Sequence, residues 1–166
     1  MCSAADARRA VDAARYPPQG NRSVGVARAH GYGLQFAEYV ARANDRISVI
    51  VQIEHVAAVR ALDEILQVEG IDGILIGPYD LSGSMNRLGD VKHPAVQATI
   101  STIRDKCVQA AMPVGIFMLN PDDVAAELAK GPSFLAVGTD LSFMLNTGNW
   151  VLAEVRKRTH LSTTSQ

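Results

Sequence analysis

Every second residue through 47–54, ISVIVQIE, is apolar, and polar residues fall only on the positions between. A period of two belongs to a strand, and it places Ser48, Ile50, Gln52 and Glu54 on one face and Ile47, Val49, Val51 and Ile53 on the other. The second face is wholly apolar and suited to packing against helices. The first turns polar only at its end, as a strand does when it lines a crevice and presents ligands at its mouth. Residues 71–76 form a second apolar run that leads into Gly77-Pro78-Tyr79-Asp80. Between the two runs Val59, Leu62, Ile65 and Leu66 recur at helical spacing, which predicts a helix over 56–68 ended by Gly70. The result is a βαβ unit with a carboxylate at the C-terminal end of each strand, the edge where α/β proteins place their chemistry.

The same reading extends to both sides. Ser3 or Asp6 caps a first helix that runs to about Ala14, and the paired prolines of Arg15-Tyr16-Pro17-Pro18-Gln19-Gly20-Asn21-Arg22 break it. Val24 to Val26 make at most a short extended piece, His30-Gly31-Tyr32-Gly33 a loop, and residues 34–43 a helix. Residues 81–92 read as a long polar loop. Pro94 suits the first turn of a helix whose inner stripe is Val96, Ile100, Ile103 and Cys107. Residues 112–119 are a third strand. Asn120-Pro121-Asp122-Asp123 starts a helix with Val124 and Leu128 facing inward and Gly131 as its stop. Residues 134–137 are a fourth strand, and 141–158 are mainly helical with an interruption at Gly148. The tail, His160 to Gln166, is expected to fray. Four strands alternating with helices predict a parallel α/β sheet, because βα crossovers are right-handed. Four βα units are half of an eight-stranded barrel, and nothing divides residues 1–166 into separate domains: 1–46 lead in and 47–158 carry the four units.

Composition narrows the function classes. A formal net charge of −1 over 166 residues gives no basic surface for nucleic acid and no attraction to an acidic membrane. No apolar run is long enough to cross a bilayer, and the N-terminus lacks an apolar signal core. The two cysteines, Cys2 and Cys107, have no metal-ligand spacing, so Cys107 reads as a reduced core residue of a cytoplasmic protein.

Candidate chemistry gathers at the strand ends. Glu54 and Asp80 can converge on one hard cation, since Mg²⁺ takes oxygen ligands and often uses only one or two carboxylates. Alternatively Glu54 caps the next helix and Asp80 a turn. Gln52, one pleat below Glu54, can donate to a substrate oxygen. The turn at Gly77 and Pro78 either aims the N–H groups of Tyr79 and Asp80 at a carboxylate or is an ordinary proline turn. Asp140, at the end of the fourth strand, reads as a helix cap before it reads as a catalyst. His30, His55, His93 and His160 are scattered, and alternation turns His55 away from Glu54. Arg15 and Arg22 either bind an anion or are simply solvated. There is no Gly-x-Gly-x-x-Gly and no Walker loop.

Motifs in order along nearly the whole chain carry a resemblance. Arg15-Tyr16-Pro17-Pro18-Gln19-Gly20-Asn21-Arg22-Ser23-Val24-Gly25 resembles the RYPPxGxRGVG segment of the HpcH/HpaI aldolase/citrate lyase family, with Ser23 in place of a glycine. Val51-Gln52-Ile53-Glu54, then the run from Val68 through Gly77-Pro78-Tyr79-Asp80 to Met85, then His93-Pro94, then Val137-Gly138-Thr139-Asp140 follow in the family's order, and Asn86 stands where many members have glycine. The resemblance implies a TIM-type barrel and a class II pyruvate aldolase acting on 2-keto-3-deoxy or 4-hydroxy-2-oxo acids. It implies a divalent ion (Mg²⁺, with Mn²⁺ or Co²⁺ as substitutes) on Glu54 and Asp80. Gln52 would then hold the ketoacid, and the turn from Gly77 and Pro78 to Tyr79 and Asp80 would receive its carboxylate.

The family's first barrel strands carry a histidine for proton transfer and an arginine for the enolate oxygen, and nothing here matches them. The resemblance is to the C-terminal half alone, so the catalytic base is unassigned and weak or no aldolase activity is expected of this chain by itself. Two other readings stay open. One is a non-catalytic half-barrel that binds metal and ketoacid, or neither, and pairs through its exposed strand edges into a homo-oligomer. The other is a citramalyl- or malyl-coenzyme-A-type lyase on the same barrel.

Overall fold

The computed structural model describes residues 1–159, so the expectation of a frayed tail and His160 lie outside the described residues. Four strands make one parallel sheet in sequential order: β1 (Ile50–Ile53), β2 (Gly73–Ile76), β3 (Val114–Met118) and β4 (Phe134–Val137). The register pairs Ile53 with Ile76, Ile76 with Ile116 and Ile116 with Leu135. Sequential order without a reversal is the wall of a (β/α) barrel; a doubly wound sheet reverses at a switch point.

Each strand is shorter than its apolar run, because the ends of the runs enter turns, but the alternation holds. Val51, Ile53, Ile74, Ile76, Val114 and Ile116 are buried on one face. They meet Leu62 and Ile65 from α4 (Leu62–Leu66) and Val96, Ile100, Ile103 and Cys107 from α6 (Pro94–Gln109), in one continuous core. On the other face Ile50 and Gln52 are exposed. There a Cβ on Gly115 would meet the Phe134 ring at 2.4 Å, so that glycine makes room for the ring on the neighbouring strand.

The leading segment is tied to the base of the sheet. α1 (Ala4–Ala14) is capped by Ser3, whose hydroxyl accepts from the Asp6 N–H, and Ala4 and Ala7 join the core. The break after it is pinned by Asn44 of α2 (Phe36–Arg46). The Asn44 side chain accepts from the Tyr16 N–H at 2.7 Å and donates to the Tyr16 carbonyl at 2.9 Å. Arg15 is neither solvated nor free for an anion: it donates to the Asn44 carbonyl and pairs with Asp72 at 3.2 Å. Arg22 lies over the Tyr16 ring, 4.6 Å from its centroid, and donates to the Tyr39 hydroxyl. Residues Val24 to Val26 form no strand.

Five expectations need correction. The helix over 56–68 is two, α3 (Val56–Arg60) and α4, separated at Ala61, whose ψ of 9° leaves helical geometry. His30 to Gly33 lie in a 3₁₀ segment, Arg28–Gly33, in which Gly31 and Tyr32 take left-handed angles. The loop over 81–92 starts later than expected, because Pro78–Ser84 form a helix, α5. The helix after Asn120 opens as a 3₁₀ turn, Pro121–Asp123, before α7 (Val124–Leu128). A 3₁₀ turn advances three residues per turn instead of 3.6, which rotates the faces that follow. Glu127 is therefore buried at 7 % exposure while Leu128 is 55 % exposed. Finally, α8 (Asp140–Thr159) runs through Gly148 without interruption.

Cys107 is fully buried and Cys2 is exposed, and both are free thiols. Burial pushes the Cys107 thiol up to about 11. A raised thiol pKa gives stability that is fully present below the ordinary value of 9.0 and is lost as pH rises through about 11. Native protein at pH 8 is expected to titrate one thiol rapidly with a chromogenic disulfide reagent and the second only on unfolding. Two fast thiols would contradict this packing.

Candidate active site

Two βα turns build the site. β1 ends at Ile53, so Glu54 stands just past the ladder and Gln52, on the same face, is the last outward residue within it. The Gln52 Nε2 donates to Glu54 Oε2 at 2.7 Å, which fixes one carboxylate oxygen and leaves the other open. Glu54 does not cap the following helix. His55 does, its Nδ1 accepting from the Ala57 N–H. The capping reading of Glu54 is thereby corrected.

The second turn leaves β2 at Gly77. Its N–H donates to the Ile53 carbonyl at 3.1 Å, which puts Gly77 level with Glu54. A Cβ there would meet Gln52 Nε2 at 2.6 Å, Glu54 Cβ at 3.0 Å and Glu54 Oε2 at 3.1 Å, so a side chain at this position would displace the Gln52 amide and crowd Glu54. Pro78 follows at the first position of α5, where its missing N–H costs nothing. Tyr79 and Asp80 therefore lie in the first turn of a helix and not in an isolated proline turn, and a first turn leaves its N–H groups without helical partners. Asp80 is exposed and, among the described residues, makes no ion pair or side-chain hydrogen bond.

Two serines that sequence reasoning passed over hold α5 in place. Ser84 Oγ accepts from the Val56 N–H at 3.1 Å, linking α5 to the start of α3 just after Glu54. Ser82 is fully buried, donates to the Tyr79 carbonyl at 2.6 Å and accepts from the Gly89 N–H. Pro78 at a first helical position was the available signal, the same one read at Pro94. Asn86, where many relatives of the motif have glycine, has a φ of 58°, a left-handed angle that asparagine tolerates.

The remaining candidates fall elsewhere. Asp140 opens α8 on the same sheet edge, but at the end of β4, and Thr139 Oγ1, not Asp140, caps that helix by accepting from the Ser142 N–H. His93 caps α6, and His30 is buried against Phe36 and Tyr39. A cavity of about 490 Å³ opens beyond Pro78 and Tyr79, between α6, α7 and β3, and includes neither Glu54 nor Asp80.

As a donor set, one free Glu54 oxygen and the unengaged Asp80 carboxylate fit a hard divalent cation that keeps water and substrate oxygens on its other positions. Among the described residues no group of three or more His, Cys, Asp or Glu side chains converges.

The HpcH/HpaI aldolase/citrate lyase family model matches residues 2–147. The chain belongs to that family. It is 39% identical over 157 residues to the 2-dehydro-3,6-dideoxy-6-sulfogluconate aldolase of Pseudomonas putida, covering 94% of this chain and 61% of that protein. It is 44% identical over 140 residues to the 2-keto-3-deoxy-L-rhamnonate aldolase of Escherichia coli K12, covering 83% of this chain and 52% of that one. A crystal structure of a family member from Burkholderia cenocepacia J2315 superposes with a TM-score of 0.82 at 32% identity, over 94% of this chain and 62% of its own. The chain thus spans between half and about three fifths of the length of these relatives. No helix among the described residues is long and apolar enough to cross a membrane.

Proposed function

We propose that the Glu54/Asp80 turn pair is the divalent-metal and ketoacid half of a class II pyruvate aldolase, a carbon–carbon lyase of 2-keto-3-deoxy or 4-hydroxy-2-oxo acids. The observation that carries this reading is the convergence of the two strand ends: Gln52 Nε2 donates to Glu54 Oε2 at 2.7 Å, and Gly77 packs against both side chains, a Cβ there falling 3.0 Å from Glu54 Cβ. Mg²⁺, or Mn²⁺ or Co²⁺ in its place, would supply Lewis-acid polarisation of the 2-keto group. Glu54 and Asp80 would hold the ion. Gln52, already oriented by Glu54, would donate to a substrate oxygen. The free first-turn N–H groups of Tyr79 and Asp80, with Gly77 and Pro78 shaping the approach, would receive the carboxylate, a preorganised donor pair of the kind that favours anions. The buried free thiol of Cys107 suits a cytoplasmic setting.

The three described histidines are all engaged away from this site, two in helix caps and one in an aromatic cluster. Binding by the chain alone is therefore expected to exceed turnover. The test is Mn²⁺-induced broadening of the pyruvate methyl resonance, followed by solvent deuterium exchange into that methyl group. Broadening that needs both protein and metal supports the site, and exchange on top of it supports enolate formation. Broadening without exchange favours a non-catalytic ligand site. Absence of both removes the aldolase reading, and activity that requires a coenzyme A thioester would turn it toward a malyl-type lyase.

A further inference from the structure

The cavity of about 490 Å³ between α6, α7 and β3 has no part in the metal and ketoacid reading, and it has the size of a small-molecule site. Its floor is the core itself, because Ile100 of α6 and Ile116 of β3 are both buried residues that line it. Met118 continues the apolar lining, and Leu119, 61% exposed, stands at the rim. The space has a local origin. The chain passes through a 3₁₀ turn after Asn120, and the α7 that follows is only five residues long. From α7 the cavity receives Ala126 and Glu127, while Leu128 turns outward. A methyl group and a carboxylate thus stand where a large apolar side chain would have closed the gap.

The rim is charged, and unevenly. Lys92 and Lys130 face Asp123 and Glu127 there, and Arg104 adds a further cation on Glu127, so three positive charges meet two negative ones. Lys130 is held by Glu127 at 2.9 Å. Lys92 is not held in this way. Its Nζ lies 3.5 Å from Asp123 Oδ1, and both side chains are largely exposed, a pairing of the kind that contributes little and exchanges readily. The wall that carries Lys92 is nevertheless fixed. Gln97 donates to the Val91 carbonyl at 2.8 Å, and the Gly89 N–H donates to Ser82 Oγ at 3.0 Å. A polyhydroxylated acid does not suit such a floor, since its hydroxyls would be buried without partners. An apolar body with one negative end does, because it covers Ile100 and Ile116 and brings a carboxylate to the ammonium at the mouth.

We propose that this cavity is a second ligand site, for a small amphiphilic carboxylate whose alkyl chain lies on Ile100, Ile116 and Met118 and whose carboxylate takes Lys92 from Asp123. This does not rest on the aldolase reading, because it uses neither Glu54 nor Asp80.

The test uses the full chain labelled with ¹³C-methyl methionine, sodium octanoate as the probe and no added metal. The Met118 methyl resonance, identified by its loss in Met118→Leu, is expected to shift saturably with octanoate, while that of Met144 on α8 stays in place. Octylammonium has the same chain with the opposite charge. It is expected to bind about tenfold more weakly, and Lys92→Gln to bring the two probes within about threefold of each other. Ala126→Phe, a change at an exposed helix position, is expected to fill the space and abolish the Met118 shift with unchanged far-ultraviolet helix signal. Glu54→Ala combined with Asp80→Ala is expected to bind octanoate as the parent does. A Met118 resonance that octanoate does not move overturns the proposal. So does octylammonium binding as tightly as octanoate, or octanoate binding that is lost with Glu54 and Asp80, which would put the probe in the metal site. If Ala126→Phe lowers the helix signal, the comparison of the two probes in the parent and in Lys92→Gln still decides.

Discussion

Asp80→Ala and Glu54→Ala are each expected to weaken Mn²⁺ binding by about 100-fold, roughly 2.7 kcal/mol, and to abolish metal-dependent pyruvate binding. Both carboxylates stand past strand ends, outside the core, so neither substitution should lower the unfolding midpoint appreciably. The two are not equivalent in their surroundings. Glu54 is half-buried and takes a hydrogen bond from Gln52, so its removal also frees the glutamine that would hold the ketoacid. Asp80 is exposed on α5 and its loss leaves Gln52 where it is. Pyruvate competition against a metal-independent anion should therefore survive Asp80→Ala better than Glu54→Ala. Gly77→Ala is a finer probe of the same site, because it adds one carbon 2.6 Å from Gln52 Nε2 and 3.0 Å from Glu54 Cβ without changing either residue. Mn²⁺ titration followed by water proton relaxation measures all three. Unchanged affinity in both carboxylate variants would remove the metal assignment.

The parts of this site that were legible in the sequence are those set by local pattern. Alternation through residues 47–54 put Gln52 and Glu54 on one outward face, and burial follows that alternation residue by residue from Ile50 to Ile53. The inner stripe of α6 was equally plain, because 3.6-residue spacing over 16 residues leaves little freedom. α5 was missed because Ser82, Gly83 and Ser84 have low helix propensity. What holds it is tertiary: Ser84 reaches a backbone N–H 28 residues away in the neighbouring βα turn. No periodicity in residues 78–84 carries that information. The Arg-Tyr-Pro-Pro segment is a similar case. Its arginine looked solvated in sequence, yet its partners, Asn44 and Asp72, lie 29 and 57 residues away.

α7 shows how far such a distant partner can move an expectation, and it gives the largest stability effect. Helical spacing pointed Val124 and Leu128 inward, but Glu127 is the buried residue, and it pairs with Arg104 of α6 and with Lys130 at 2.9 Å. The Arg104 and Glu127 side chains are only 11% and 9% exposed. Burial lowers the Arg104 pKa from its ordinary value, yet a guanidinium stays charged at neutral pH and so cannot escape the penalty by losing its proton.

Glu127→Ala leaves that charge buried without its carboxylate and is expected to cost about 3–5 kcal/mol, a large share of the roughly 5–15 kcal/mol that holds a domain folded. In urea the midpoint should fall with the slope unchanged. Removing both charges is a different operation. Arg104→Met combined with Glu127→Leu restores apolar contact between α6 and α7, so it should regain most of the loss, since replacing a buried pair by apolar groups of similar volume is close to neutral. Glu127→Ala at parental stability would mean that α7 rests on the sheet through its apolar residues and the ion pair adds nothing. A double variant no better than the single would place the cost in lost packing and not in the uncompensated charge.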